Sequence, residues 1–382
     1  MKKVLRFLSY VLVAALSSAV TFGIFYTRNR VEAGKLGELS ALIEEKFIGE
    51  VDTAAMEDAA AAAMVASLGD RWSHYMTAES YASYKDQMKN AYVGVDITVT
   101  EREDGYVDIL AVSPGSPAEG AGILPGDILT HADGIDLATL TLDETTPIIK
   151  GEEGTVVRLT VKRDKITMEL PVTRAYFEVT VATGEMLEGN IGLVTIENFD
   201  SRCADETIAV IDDLLEQGAG ALIFDVRNNP GGYVSELCEV LDYLLPEGLL
   251  FHSEYYNGFV EEEHSDADCL ELPMAVLVNS ESYSAAEFFA AAMAEYDAAV
   301  VVGEKTTGKG YFQLTYELSD GSAVGLSVGK YSTPMGVNLA GVGITPDVEV
   351  AVEEELFWQI YYDNTSWQED PQILAAIDAL NG

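Results

Sequence analysis

The chain has 382 residues, 48% of them apolar, enough to bury a large core and to build two or three domains. Its 22 Lys and Arg against 64 Asp and Glu give a formal net charge of −42, which argues against nucleic acid and anionic membrane surfaces as partners. The three cysteines, Cys203, Cys238 and Cys269, lack metal-ligand spacing and are odd in number, so neither a zinc site nor a disulfide framework is expected, and no cofactor or metal is implied.

Lys2, Lys3 and Arg6 precede Phe7 to Tyr26, twenty uncharged residues, and Arg28 and Arg30 follow. At about 1.5 Å per residue such a run spans roughly 30 Å, the thickness of a bilayer core. A cleavable signal peptide has a shorter apolar stretch, about 7 to 15 residues, and a small-x-small exit site. This run instead finishes in Phe22-Gly23-Ile24-Phe25-Tyr26. Residues 1–30 are therefore expected to form an uncleaved transmembrane anchor, with the signal peptide as the alternative. The excess of basic residues on the N-terminal side places the bulk of the chain outside the cytoplasm.

Residues 31–90 read as an N-terminal helical segment, with helices across Leu36 to Met64 broken at Gly49 to Asp52 and stopped at Leu68-Gly69-Asp70. From Tyr92 to Arg174 the chain turns strand-rich, punctuated by Asp104-Gly105, Pro114-Gly115, Pro125-Gly126 and Asp133-Gly134. Ser116-Pro117-Ala118-Glu119-Gly120-Ala121-Gly122-Ile123, Gly126-Asp127-Ile128-Leu129 and Asp133-Gly134, with a closing strand in Gly151 to Arg163, resemble a PDZ domain over residues 91–174. Such domains add a peptide C-terminus to an open sheet edge and hold its carboxylate on backbone N–H groups. The resemblance puts that loop and strand at Tyr92, Val93, Gly94, Val95 and Ile97.

Beyond Phe177 strands and helices alternate: Ile191 to Phe199, helix Ala204 to Gln217, Ala221 to Val226, helix Val234 to Leu245, Met274 to Asn279. This order argues a mostly parallel α/β sheet over residues 175–360. Arg227-Asn228-Asn229-Pro230-Gly231-Gly232 between a strand and a helix reads as a tight turn. Tyr311 to Leu318 and Ala323 to Tyr331 form a hairpin, and Glu353 to Asn381 reads as helical and acidic, with residues 361–382 as a C-terminal helical tail. His252 and His264 lie near carboxylates but without ligand spacing.

The stretch from Met274 to Gln313 carries the chemistry. Met274 to Asn279 is a buried strand, Ser284 opens a helix, and Ala299 to Val302 is a second strand running into Gly303-Glu304-Lys305-Thr306-Thr307-Gly308-Lys309-Gly310. Parallel strands joined by a helix bring both loops to one sheet edge, where Ser284 and a lysine can meet. A serine at a helix start also serves as an N-cap, and Lys305 competes with Lys309. A lysine acting as base must be held neutral by burial, since its ordinary pKa lies near 10.4.

Ser282-x-Ser284-Ala285-x-Glu287, then Gly308-Lys309-Gly310 and Gln313, resemble the active-site region of the C-terminal processing (tail-specific) peptidases, serine peptidases with a Ser/Lys dyad. Arg71-Trp72-Ser73-His74-Tyr75 and Tyr331-Ser332-Thr333-Pro334 also resemble segments of that family. The resemblance implies a crotonase-like α/β core with an inserted PDZ domain. It assigns Ser284 as nucleophile, Lys309 as general base, Gln313 as the residue orienting the lysine, and the Gly231 and Ala285 N–H groups as oxyanion donors. Polypeptides with accessible C-terminal tails become the expected partners, with homo-oligomerisation left open. Glu281, Tyr283 and Thr307 depart from the family pattern, so a non-catalytic scaffold of the same fold is the rival, and a Ser/His enzyme using His74 a second.

Overall fold

The computed structural model describes residues 34–381 apart from 103, 354–355, 357–359 and 361–365. The expected anchor, Phe7 to Tyr26, lies outside the described residues; among those described, no helix is long and apolar enough to cross a membrane. The chain divides into two compact units, up to Tyr75 and from Met76 onward.

In the first unit, α1 (Gly34–Lys46) and α2 (Thr53–Ala66) match the two expected helices. Asp52 caps α2, its Oδ1 accepting from the Ala55 N–H at 3.0 Å. Tyr75 is tied back to α2 by its hydroxyl, which donates to Asp58 at 2.6 Å. A short strand, β1 (His74–Met76), runs across the boundary between the units.

The second unit begins with α3 (Ala78–Gln87), capped by Thr77. Next come β2 (Ala91–Gly94), β3 (Ile97–Glu101), β4 (Val107–Val112), the helical turn α4 (Pro117–Gly120), β5 (Ile128–Ala132), β6 (Ile135–Asp136), α5 (Leu142–Ile149), β7 (Val156–Arg163), β8 (Ile166–Thr173) and β9 (Ala175–Glu178). The sheet runs β3-β4-β5-β7-β8, so β3 is an edge strand whose outer backbone is open to a further strand. Val95, Ile109, Ile123, Leu129, Leu137, Leu159 and Val161 fill the core beneath it. The pairing of β2 with β9, Ala91 opposite Glu178 and Gly94 opposite Ala175, closes this module into a loop inserted in the rest of the unit.

The remaining elements are β10 (Ala182–Leu187), β11 (Ile191–Ile196), α6 (Cys203–Glu216), β12 (Ala221–Asp225), α7 (Val234–Leu244), β13 (Gly248–Tyr255), β14 (Val260–Ser265), β15 (Met274–Val278), α8 (Ala285–Glu295), β16 (Ala299–Gly303), β17 (Tyr311–Glu317), β18 (Ala323–Ser332), β19 (Val348–Glu349) and α9 (Pro371–Asn381). One sheet runs β10-β11-β12-β15-β16-β19, parallel except where β10 meets β11. Every residue of β15 is buried because both faces are covered. Met274, Val276 and Val278 point to the face packed by α7 and α8, Ala275 and Leu277 to the face covered by Ile373 and Ala376 of α9. Within the expected C-terminal helical tail, α9 carries one acid, Asp378, and packs through apolar residues. A second, antiparallel sheet pairs β14, β13, β18 and β17.

Cys203 and Cys238 are buried and free, and burial pushes both thiols up to about 12.

Candidate active site

Three loops leave the carboxyl ends of β12, β15 and β16, adjacent parallel strands, which is where open α/β sheets gather their ligands. The first is Arg227 to Gly232. The buried Arg227 guanidinium bonds Asp225, Asp370 at 2.8 Å and Gln372 at 2.9 Å, pinning the turn to the start of α9. Asn229 is fully buried: its Nδ2 donates to Ile196 O at 2.8 Å and its Oδ1 accepts from the Gly231 N–H at 2.8 Å. Gly231 has φ +92°, and a Cβ there would lie 2.7 Å from the Ala285 nitrogen and 2.7 Å from Ser284 Cβ. Only glycine lets the turn approach the serine this closely.

The second loop, Asn279 to Ser284, is stitched to the first. The Asn228 N–H donates to Asn279 Oδ1 at 3.0 Å, Asn279 Nδ2 donates to Asn228 Oδ1 at 2.8 Å, and the Tyr283 N–H donates to Asn229 O at 3.2 Å. Ser282 is buried with its hydroxyl donated to Val226 O at 2.7 Å, a structural role that separates it from Ser284. Ser284 is half-buried and has φ 60° and ψ −122°, outside the helical region, with no side-chain capping bond. The capping explanation is thereby corrected. A non-glycine residue in such a conformation costs about 1 to 3 kcal/mol and is retained where a side chain must be presented. Ala285 begins α8, so its N–H belongs to the first helical turn, which has no intrahelical acceptor.

The third loop carries both lysines. Lys305 is exposed and Lys309 is half-buried. Glu287, fully buried on α8, accepts from the Thr306 hydroxyl, from the Gly308 N–H at 2.7 Å and from the Lys309 N–H at 2.9 Å. Burial pushes the Glu287 carboxyl up, and these hydrogen bonds and the Lys309 charge pull it part of the way back. Thr307 donates its hydroxyl to Ser280 O at 2.6 Å, so this departure from the family pattern fastens the third loop to the second. Gly310 lies against Ala340, whose nitrogen would meet an added Cβ at 2.4 Å. Lys309 Nζ stands 5.9 Å from the Tyr283 ring centroid, within cation–π reach. Gln313, next to a register shift in β17, donates to Ser327 Oγ at 2.9 Å and Tyr311 O at 3.1 Å.

Two further buried residues border the site, Asp200, which the sequence does not mark, and Tyr331, to which it assigns no role. Tyr331 donates its hydroxyl to Lys309 O. Asp200 follows Phe199, which bridges to Gly232, and its Oδ1 has no partner among the described residues. Burial and the neighbouring Glu236 push its carboxyl up to about 7. No local pattern marks Asp200, which sits among Glu197, Asn198, Ser201 and Arg202 in the sequence. His74 is exposed, its Nδ1 3.0 Å from Trp72 O. His252 Nδ1 lies 3.0 Å from Glu262, and His264 is exposed opposite Leu249.

A strained serine at a helix start, backed by a glycine turn and a lysine loop on an α/β sheet, is the framework of a serine hydrolase. Residues 190–350 match peptidase family S41, and residues 109–163 match a PDZ domain. The carboxy-terminal processing protease CtpA of Bacillus subtilis (strain 168) is 32% identical over 370 residues, covering 93% of this chain and 79% of that protein. The carboxyl-terminal-processing protease of Picosynechococcus sp. is 32% identical over 349 residues, 89% of this chain and 83% of that one. The solved structure of the photosystem II D1 C-terminal processing protease aligns with 84% of this chain and 88% of its own, at 26% identity and a TM-score of 0.49. The chain belongs to the carboxy-terminal processing proteases of peptidase family S41, serine-type hydrolases.

Proposed function

We propose that the chain is a membrane-anchored endopeptidase that captures protein C-terminal tails on its PDZ domain and cleaves them through a Ser284/Lys309 acyl-enzyme mechanism. The observation that carries this reading is the presentation of Ser284: a strained, uncapped serine beside the Gly231 turn, with Lys309 held to the same helix by Glu287. Ser284 Oγ attacks the scissile carbonyl carbon while Lys309 Nζ takes its proton. The proton then passes to the leaving amine as the C–N bond breaks, and water hydrolyses the ester by the same route in reverse. The tetrahedral oxygen is held by the N–H groups of Ala285 and Gly231, the latter exchanging Asn229 Oδ1 for the substrate. The N-terminal end of α8 adds its positive partial charge. Gln313 orients the lysine from β17. Anchoring rests on the uncharged run Phe7 to Tyr26 and its basic flanks, which put the peptidase on the extracytoplasmic side.

The rival scaffold reading draws on one observation, the Gly231 N–H already engaged by Asn229. Turnover decides between them. The wild-type chain should cleave an unstructured polypeptide and be labelled on Ser284 by a fluorophosphonate, whereas Ser284→Ala, Lys309→Ala and Lys309→Arg should be inactive. Arginine cannot replace the base because a guanidinium stays charged. Lys305→Ala and His74→Ala should retain activity. Full turnover by a folded Lys309→Ala would refute the dyad, and no turnover by wild type would favour the scaffold.

A further inference from the structure

Two of the departures from the family pattern, Tyr283 and Thr307, act together across the site. Lys309 Nζ stands over the Tyr283 ring, 5.9 Å from its centroid, and both residues are half-buried. Each is carried on pinned backbone. The Tyr283 N–H donates to Asn229 O at 3.2 Å, and the preceding Ser282 is locked to Val226 O by its hydroxyl at 2.7 Å. On the other side the Thr307 N–H donates to Ser282 O at 3.3 Å and its hydroxyl to Ser280 O at 2.6 Å. These bonds tie the lysine loop to the tyrosine loop just before the base, and Glu287 then holds the Lys309 N–H at 2.9 Å. Ring and amine thus leave main chain that is held at a fixed separation.

The face of an aromatic ring attracts a cation and does little for a neutral amine. In the Ser284/Lys309 reading the lysine is neutral before the reaction and becomes an ammonium as it takes the serine proton. The charge that the ring favours is therefore one that the transition state creates. The same preference makes the resting lysine harder to deprotonate, because whatever stabilises the charged form raises the pH at which the neutral base appears. The outcome is a stronger base that comes into play at a higher pH.

We propose that Tyr283 is a positioning residue that acts through Lys309: its ring holds Nζ beside the loop of Ser284 and favours the ammonium formed there. The proposal rests on the Ser284/Lys309 reading above. No bond within Tyr283 forms or breaks; the proton moves from Ser284 Oγ to Lys309 Nζ and on to the leaving amine. The titratable groups held against the main chain of the lysine are Glu287 of α8, which accepts its N–H, and Tyr331 of β18, which donates to its carbonyl. Burial keeps the Tyr331 phenol protonated, and Glu287 is present in every Tyr283 variant, so neither accounts for a difference among them.

The test uses the full chain and compares wild type, Tyr283→Leu, Tyr283→Phe and Lys309→Ala. It follows kcat/KM on an unstructured polypeptide, and the rate of Ser284 labelling by a fluorophosphonate, as functions of pH. Tyr283→Leu should bring the rise in both rates to a pH lower by roughly half a unit to one unit, the strength of a cation–π contact. It should also lower the alkaline plateau by about 2- to 10-fold, as a weaker and less well placed base does. Tyr283→Phe keeps the ring face and should keep the midpoint of the rise. Mere damage lowers the plateau and leaves the midpoint where it was, and that result for Tyr283→Leu would overturn the proposal. So would an equal midpoint shift in Tyr283→Phe, since the hydroxyl would then be its cause. If Tyr283→Leu does not fold, pentafluorophenylalanine at position 283 keeps the shape of the ring and reverses the charge of its face. Its midpoint should lie below that of Tyr283→Phe, and an equal midpoint overturns the idea. The two readings fail separately: turnover by Lys309→Ala removes the dyad and this proposal with it, whereas an inactive Lys309→Ala beside an unmoved midpoint in Tyr283→Leu removes only the ring.

Discussion

The buried carboxylate of Glu287 accepts the backbone N–H of Lys309 at 2.9 Å, so the helix that begins at the nucleophile also holds the loop of the base. Removing that carboxylate takes the acceptor from the buried Thr306 hydroxyl, which keeps only the Ile344 N–H it accepts, and from the half-buried Gly308 and Lys309 N–H groups. Each orphaned group costs about 1 to 3 kcal/mol. Glu287→Ala should therefore lower the melting temperature by several degrees and abolish turnover. Glu287→Gln, with one oxygen to accept and an amide facing the Lys309 N–H, should fall between. Thermal melts and turnover on the same preparations check both, and wild-type activity in Glu287→Ala would show that the clamp does not place the lysine.

At Gly231 the φ of +92° and the absence of a Cβ do separate things. Any L side chain there meets a backbone cost of about 1 to 2 kcal/mol. An alanine also drives its Cβ to 2.7 Å from the Ala285 nitrogen, displacing the expected oxyanion donors. Gly231→Ala should cut kcat by more than about 100-fold, the scale of losing an oxyanion donor, with tail binding unchanged. Gly258→Ala is the control: its φ is +82° but nothing lies within 4 Å, so it carries the strain alone and should keep its activity. Equal kcat for the two variants would refute a role for the Gly231 turn.

The parts of this site that sequence exposes are those written in local pattern. The continuous apolar run of β15 marks a strand covered on both faces, and the glycines of the Gly231 and Lys309 loops mark close approach. Nothing near Ser284 demands a positive φ, because that conformation is imposed by the stitching of Asn279, Asn229 and Ser282 across two loops. The partners of Glu287, Asn229 and Tyr331 come from segments remote in the chain, so their pairing depends on the assembled sheets. The acidic expectation for the tail arose from residues 353 to 370; the helix that docks, Pro371–Asn381, is defined by Ile373 and Ala376.

Asp200 makes stability depend on pH in an uncommon direction. Its folded pKa, pushed up to about 7 by burial and Glu236, lies above an unfolded value of about 3.9. Between those values the unfolded chain has lost the proton and the folded chain keeps it. The contribution is therefore fully present below about pH 4 and is lost as the pH rises through about 7. Asp200→Asn, which cannot ionise, should raise the melting temperature relative to wild type more at pH 8 than at pH 4.5. Melts of both proteins across that range decide it; parallel curves would mean that Asp200 titrates alike in both states.

The last prediction concerns the PDZ edge. Glu101 at the end of β3 accepts the Leu142 N–H at 3.0 Å, joining β3 to the start of α5. At the opposite end the chain enters β3 from β2, which holds Tyr92, Val93 and Gly94 in a ladder with β9 rather than in the expected loop, so that only Val95 and Asp96 form the connection; there the Tyr92 hydroxyl donates to Asp96 at 2.6 Å and Lys150, just after α5, sits with its Nζ 5.5 Å from the Tyr92 ring centroid. A tail added along β3 with its carboxylate at that connection would meet backbone N–H groups and the Lys150 charge together. On a chain of net charge −42, a local cation matters for drawing in an anion. An unstructured peptide with a free C-terminal carboxylate should bind the Ser284→Ala protein more tightly than its amide. Lys150→Met should narrow that difference while leaving amide binding unchanged, and added salt should narrow it further. Calorimetric titration with the two peptides measures all of this. Equal affinity for carboxylate and amide on the unmodified PDZ edge would refute tail capture at this connection, and a difference untouched by Lys150→Met would leave the backbone N–H groups as its sole source.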